Sequence, residues 1–165
     1  AVSITLTGIV PEKQLLQRSG GRPGDQLFIT GRLGGSIAGH HLDFVPRLAE
    51  GRWLAETFRP SAMMDISDGL GADLPRLARA SGCGFTVNLP DIPCRRGSSI
   101  DQALSDGEDY ELLFSLSPKK AIGISERWAD VFPKTPLTCI GSLNRSQDPP
   151  SGWPGGWDHF KEFDT

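Results

Sequence analysis

Residues 65–70 read Asp65-Ile66-Ser67-Asp68-Gly69-Leu70. Two carboxylates and a hydroxyl fall within four positions, directly after the apolar run Ala62-Met63-Met64, where a strand is expected to run into a turn. Magnesium prefers oxygen donors and is often held through only one or two carboxylates, with water and phosphate completing its shell. A strand-end turn of this composition is a seat for a metal–nucleotide complex. The competing reading is a plain Asp-Gly turn with Asp65 as a capping acid.

A second acidic cluster, Ser105-Asp106-Gly107-Glu108-Asp109-Tyr110-Glu111, stands immediately before the most strand-like segment of the chain. Acids at a strand mouth bind metal or hydrogen-bond a cationic or amine-bearing ligand; otherwise they form a solvated turn, the reading favoured here for Asp106 and Asp109. The loop Arg18–Asp25 carries two arginines and three glycines. Arginine offers phosphate a planar fork of donors, and glycine lets backbone approach an anion closely. The loop is neither a Walker A sequence nor GxGxxG. Gly31–Gly39 is open between a phosphate cradle and ordinary tight packing. His40, His41 and His159 lack partners at metal-type spacing, and no GxSxG elbow occurs. Trp153, Trp157 and Phe160 either cover an edge of the core or stack on a flat heteroaromatic ligand, with cation–π attraction if that ligand is positive.

The elements that must position these groups follow from periodicity. Val2–Thr7 alternates with period two and predicts a half-buried strand. Gln26–Thr30 and Phe85–Leu89 predict short strands, Tyr110–Leu116 the strongest one, and Leu137–Gly141 the last. Gly34–Gly39 opens a helix or a tight loop. Leu48, Leu54 and Phe58 are spaced for a helix over 46–58, with Pro46 in its first turn. Asp73 is expected to cap a helix with Pro75 in its first turn, Leu74, Leu77 and Ala78 on its apolar face, and Gly82 past its end. Pro90–Ser99 is a connection, and Pro118–Trp128 a further helix. Strands alternate with helices, which argues for an α/β (α+β) domain, a mixed sheet covered by helices. The domain is expected over 1–143, with an irregular Pro/Gly/Trp-rich tail over 144–165 packing on it.

The 165 residues allow one domain with a real core, and the net charge of −3 comes with acids and bases interspersed. No Lys/Arg block marks a nucleic-acid surface. No stretch approaches the roughly 20 apolar residues of a membrane span. Residues 1–10 lack a basic n-region and a cleavage pattern, so no signal peptide is expected. Cys83, Cys94 and Cys139 are odd in number and widely spaced, which predicts reduced thiols in a cytoplasmic protein rather than a disulfide framework or zinc site.

Taken in order, Ile4-Thr5-Leu6-Thr7-Gly8, Arg18-Ser19-Gly20 with Arg22-Pro23-Gly24-Asp25, Thr30–Gly39, Asp65–Leu70, Gly107-Glu108-Asp109-Tyr110-Glu111-Leu112-Leu113-Phe114 and Gly156-Trp157-Asp158-His159-Phe160 resemble one family. The chain resembles the C-terminal half of thiamine-monophosphate kinase, in the aminoimidazole-ribonucleotide synthase superfamily, from about residue 3 to 160. The resemblance implies the C-terminal-domain fold of that synthase, distantly ferredoxin-like. It implies transfer of the γ-phosphate of ATP to thiamine monophosphate, giving thiamine diphosphate, with Mg²⁺. On that pattern Asp65 and Asp68 bind Mg²⁺, and Ser67 contacts the nucleotide phosphates. Arg18 neutralises phosphate charge, Glu108 binds substrate, and Trp157 stacks on its aromatic part. A carboxylate and an indole suit a cationic thiazolium with an aminopyrimidine. Phosphoryl transfer mainly needs positioning and charge neutralisation.

The chain departs from the family in two ways. Asp106 stands where the family often has glycine, a change that tightens or crowds the site. The family's N-terminal domain, which supplies further Mg²⁺-binding acids, much of the ATP site and most of a homodimer interface, is absent. The expected chain is thus a fragment or processed half, inactive by itself and completed in cis or in trans. The alternatives are a non-catalytic ligand-binding or interaction domain of the same fold, and a sister ATP-dependent synthase.

Overall fold

The computed structural model describes residues 3–146 and 148–156. Five strands, β1 (Gln26–Thr30), β2 (Ala62–Asp65), β3 (Gly84–Val87), β4 (Leu112–Leu116) and β5 (Leu137–Asn144), form one sheet in the order β2-β4-β1-β5-β3. All four strand pairings are antiparallel. Their registers set Asp65 opposite Leu112, Ile29 opposite Leu113 and Thr30 opposite Leu137. The end of β1, the end of β2 and the starts of β4 and β5 therefore share one end of the sheet.

The helices are α1 (His40–Asp43), α2 (Leu48–Thr57), α3 (Leu70–Ala80), α4 (Ile100–Ser105), α5 (Pro118–Ala121) and α6 (Ile124–Val131). Alternation along β1 divides the core into two layers. Leu27 and Ile29 pack with Leu70, Leu74 and Leu77 of α3 and Ala103 and Leu104 of α4. Phe28 faces the other way, with Leu54 of α2 and Ile124 and Trp128 of α6. It stacks on Phe114 at 5.4 Å between ring centroids. Both faces of the sheet are covered, which is why β1 and β4 read as near-continuous apolar runs. The helix-covered α+β sheet expected from the sequence is observed, but it is antiparallel throughout rather than mixed.

Several elements differ from expectation for identifiable reasons. Residues 3–8 form no strand and are exposed, with Ile4 and Leu6 largely in solvent; alternation marks an apolar face but supplies no hydrogen-bonding neighbour. The 118–128 segment is two helices, because Gly123 takes a left-handed conformation (φ 74°) and becomes the N-cap of α6. Helix α2 begins at Leu48, two residues past Pro46. Helix α4 falls in a stretch where no helix is expected. It is started by a capping box in which Ser99 Oγ accepts from Gln102 N–H (3.2 Å) and Gln102 Oε1 accepts from Ser99 N–H (3.0 Å).

Helix α3 begins at Leu70, so Asp73 lies inside its first turn and is not its N-cap, and Pro75 lies in the helix interior. A proline there has no N–H for the carbonyl four residues back. That carbonyl, on Gly71, instead accepts from Trp153 Nε1 at 3.0 Å. Trp153 also packs edge-on against Phe85 at 4.9 Å. The first aromatic of the tail thus covers the core and satisfies the group that Pro75 leaves open. Trp157, His159 and Phe160 lie outside the described residues.

Candidate functional site

Asp65-Ile66-Ser67-Asp68 and Gly107–Glu111 meet as continuations of the β2–β4 pair. Ile66 N–H donates to Glu111 O (2.8 Å), Tyr110 N–H to Ile66 O (2.8 Å) and Glu108 N–H to Ser67 O (2.7 Å). The second strand bends sharply here: Gly107 (φ 70°), Glu108 (φ 54°) and Tyr110 (φ 52°) are all left-handed. Non-glycine residues in that region carry strain of about 1–3 kcal/mol each and cluster at functional sites. A Cβ at Gly107 would stand 2.9 Å from Ser67 O, so the close approach of the two turns needs glycine there.

The acids of these motifs separate into two groups. Asp73 is fully buried; its Oδ2 accepts from the N–H groups of Ser67 and Asp68, both at 2.8 Å, and its Oδ1 from Arg76 at 2.7 Å. Desolvation pushes its carboxyl above the ordinary aspartate range, opposed by those donors. Asp109 is also buried, accepting from Gly34 N–H (3.0 Å) and Arg95 (3.0 Å). Burial raises its pKa to about 6. Asp106 accepts from Gly35 N–H at 2.7 Å. Glu111 is gripped by Arg47 Nε (2.7 Å) and Nη2 (2.6 Å) and by Thr30 Oγ1 (2.7 Å). Asp106 and Asp109 are therefore not solvated turn residues. They tie down the 31–39 loop, whose Gly34 and Gly35 N–H groups are occupied, so tight packing rather than a phosphate cradle describes that loop. Asp106 in the place of a glycine makes a hydrogen bond to this loop.

The other acids face outward. Asp65 is exposed and Glu108 half-buried, and neither carboxylate bonds a described residue; the Ser67 hydroxyl likewise has no described partner. Asp68 is half-buried and paired with Arg76. Tyr110 links the group: burial first, then the charges of Glu108, Asp65 and Asp68, hold its phenol above the ordinary value. Three carboxylates from two distant segments thus act on one ring, which stacks on Phe44 at 4.3 Å. Nothing in the sequence pattern singled out Tyr110 or Phe44; only their packing does. Arg18 is exposed, beside Gln17, whose carbonyl accepts from Met63 N–H at 2.8 Å, and the structure gives it no described partner. The tail reaches the same place, since a Cβ at Gly156 would collide with the Asp68 carbonyl and lie 2.9 Å from Ala72 N. Trp157 follows immediately.

Asp65, exposed and without a described partner, and Asp68, ion-paired with Arg76, carry oxygen donors of the kind a Mg²⁺ ion takes beside phosphate and water. Among the described residues no three His, Cys, Asp or Glu side chains form a metal-holding group by themselves. Cys83, Cys94 and Cys139 are free thiols. Among the described residues no helix is long and apolar enough to cross a membrane.

An antiparallel sheet between two helical layers, with paired acidic turns at one end, defines the class. Residues 16–131 match the family described as AIR synthase related protein, C-terminal domain, and the chain belongs to that family. It is 35% identical over 154 residues to the thiamine-monophosphate kinase of Rhodopirellula baltica, covering 87% of this chain and 46% of that protein. Thiamine-monophosphate kinase from Stenotrophomonas maltophilia superposes with a TM-score of 0.72 at 25% identity, over 85% of this chain and 54% of the other. AaThiL complexed with AMPPCP and TMP superposes with a TM-score of 0.66 at 28% identity, over 88% and 54%. The chain spans about half the length of the curated relatives it matches.

Proposed function

We propose that this chain is the C-terminal half of an ATP- and Mg²⁺-dependent kinase that phosphorylates thiamine monophosphate to thiamine diphosphate. The observation that carries the reading is the division of the acids. Asp73, Asp106, Asp109 and Glu111 hold the fold, while Asp65, Asp68 and Glu108 stand on the two turns that the Tyr110–Ile66 and Glu108–Ser67 backbone bonds join at the sheet end. Asp65 and Asp68 would hold Mg²⁺, which neutralises charge on the polyphosphate when bound. The Ser67 hydroxyl and Arg18 bind nucleotide phosphates. Glu108 faces the cationic or amine-bearing part of the substrate, and Trp157 stacks on its ring. The bound ligands named for AaThiL, an ATP analogue and TMP, support both substrates. Asp73 pre-sets the Ser67-Asp68 backbone so that little ordering remains when ligand arrives.

Relatives about twice as long support a site completed by an N-terminal domain, in cis or in trans; in this reading the chain is inactive alone and the whole kinase is a homodimer. The free thiols support a cytoplasmic setting. The test is formation of thiamine diphosphate from thiamine monophosphate and Mg·ATP by this chain alone, and by this chain mixed with an N-terminal domain from a relative. Activity in the mixture, lost with Asp68→Asn, is expected. A mixture that associates yet makes no product, or Mg²⁺–nucleotide binding indifferent to Asp68→Asn, favours a non-catalytic module. Turnover of an amidine-forming substrate in place of thiamine monophosphate favours a sister synthase.

A further inference from the structure

A second cluster of charge stands at the same end of the sheet, on the β1–β5 side. A cavity of about 200 Å³ is lined there by Arg32, His40, Arg47, Arg95, Lys134 and Glu111, together with Gly31 and Pro136. Four cationic side chains therefore face one carboxylate. Glu111 is fully engaged by Arg47 and Thr30. Arg95 is fixed by Asp109 and by the Gly34 and Arg32 carbonyls. Beyond the cavity wall, Glu50 stands 3.7 Å from Arg47 Nη1. No described carboxylate pairs with Arg32 or Lys134. Among the described residues the Arg32 guanidinium makes one hydrogen bond, a long one of 3.4 Å to the Cys94 carbonyl.

The frame around these two residues is rigid. Leu33 N–H donates to Pro93 O (2.7 Å) and Arg95 N–H to Leu33 O (2.8 Å), which clamps the backbone next to Arg32. Trp128 Nε1 donates to Thr135 O (2.6 Å) and Gly31 N–H to Pro136 O (2.8 Å), which clamps the turn bearing Lys134. Like charges held together at a concave surface focus a positive potential that favours an anion. Burial first, then Arg95, hold the His40 imidazole below its ordinary value, so near neutrality it is uncharged and adds a hydrogen-bonding group, not a fifth charge.

We propose that this cavity binds a phosphate dianion, with Arg32 and Lys134 as its ligands above a floor made by the Arg47–Glu111 and Arg95–Asp109 ion pairs. Guanidinium and ammonium donors around a multiply charged pocket match phosphate. The volume is several times the roughly 30 Å³ share of one water, enough for a tetrahedral oxyanion. The ion is either free phosphate or the terminal phosphate of an organic monoester. The site is separate from the Asp65–Asp68–Glu108 group and stands whether or not the chain belongs to a kinase.

The experiment is a titration of the chain with inorganic phosphate and, separately, with methyl phosphate. Binding is read by ³¹P line width and by the thermal midpoint against sodium chloride at matched ionic strength. Arg32→Gln and Lys134→Gln are the test variants; both side chains are exposed and lack carboxylate partners, so the variants are expected to melt with the parent when phosphate is absent. Saturable phosphate binding, weakened about tenfold by each substitution, is expected, the loss matching one charge-assisted hydrogen bond. Equal binding of methyl phosphate assigns the site to a monoester, and its exclusion assigns it to free phosphate. If Arg32→Gln disturbs folding, Lys134→Gln carries the comparison alone. Phosphate effects no larger than chloride, or affinity unchanged in the variants, overturn the proposal. None of these readouts uses phosphoryl transfer, so failure of the kinase reading leaves the result intact.

Discussion

Asp73→Ala tests whether the Ser67-Asp68 turn is held by one buried carboxylate. In the parent, Asp73 Oδ2 accepts two backbone N–H groups at 2.8 Å. The substitution leaves both donors without a partner, at about 1–3 kcal/mol each. Arg76 loses one bond at 2.7 Å but keeps Asp68, and its side chain is 43% exposed, so water replaces the loss. Removing a buried carboxylate returns part of the cost, since desolvation already disfavours its charged form. The net effect is about 2–4 kcal/mol, set by the two orphaned amides. That is a large part of the 5–15 kcal/mol typical of a whole domain, yet small enough to leave most chains folded. Amide hydrogen exchange at Ser67 and Asp68 reads the local opening, and urea unfolding reads the global change. Exchange at the two amides should accelerate about 30- to 1000-fold, the same free energy at 1.4 kcal/mol per decade. Exchange as slow as in the parent, with an unchanged urea midpoint, would refute the claim that Asp73 holds the turn.

Asp109 gives a pH signature. Its folded value of about 6 lies above the ordinary 3.8, so its contribution to stability is fully present below about pH 4 and is lost as pH rises through 6. The two-unit difference corresponds to about 3 kcal/mol. Comparing urea midpoints of the parent and Asp109→Asn from pH 4 to 7 should show a steeper decline in the parent; parallel profiles would contradict this. Gly107→Ala puts a Cβ into a left-handed residue 2.9 Å from Ser67 O. It should cost about 1–3 kcal/mol by urea unfolding, and a neutral result would mean that the two turns separate freely. Trp153→Phe keeps the contact with Phe85 but leaves the Gly71 carbonyl, already deprived by Pro75, without its indole donor. A loss of about 1 kcal/mol is expected in the same assay, and an unchanged midpoint would show that water serves as well.

The residues of Gln26–Thr30, Leu112–Leu116 and the Leu74/Leu77/Ala78 face of α3 determine their own elements. Their apolar spacing is local, and burial rewards it in almost any compact context. The two acidic motifs were likewise legible, because acids and glycines beside a strand end are visible in a few consecutive letters. What those letters could not decide was which acids serve the fold. Asp109 is tied to Gly34, 75 residues away, and Glu111 to Arg47, 64 residues away. A carboxylate in a turn looks the same whether it faces water, a ligand or a buried amide. The same holds for residues 3–8, which alternate like a strand but pair with none, and for Ser99–Gln102, where a capping box starts a helix too short for periodicity to show. Composition and spacing determined the chemistry available and the segments that carry it. Only the tertiary structure distributed the partners, because hydrogen bonds and ion pairs are made by whichever groups the sheet register brings within about 3 Å.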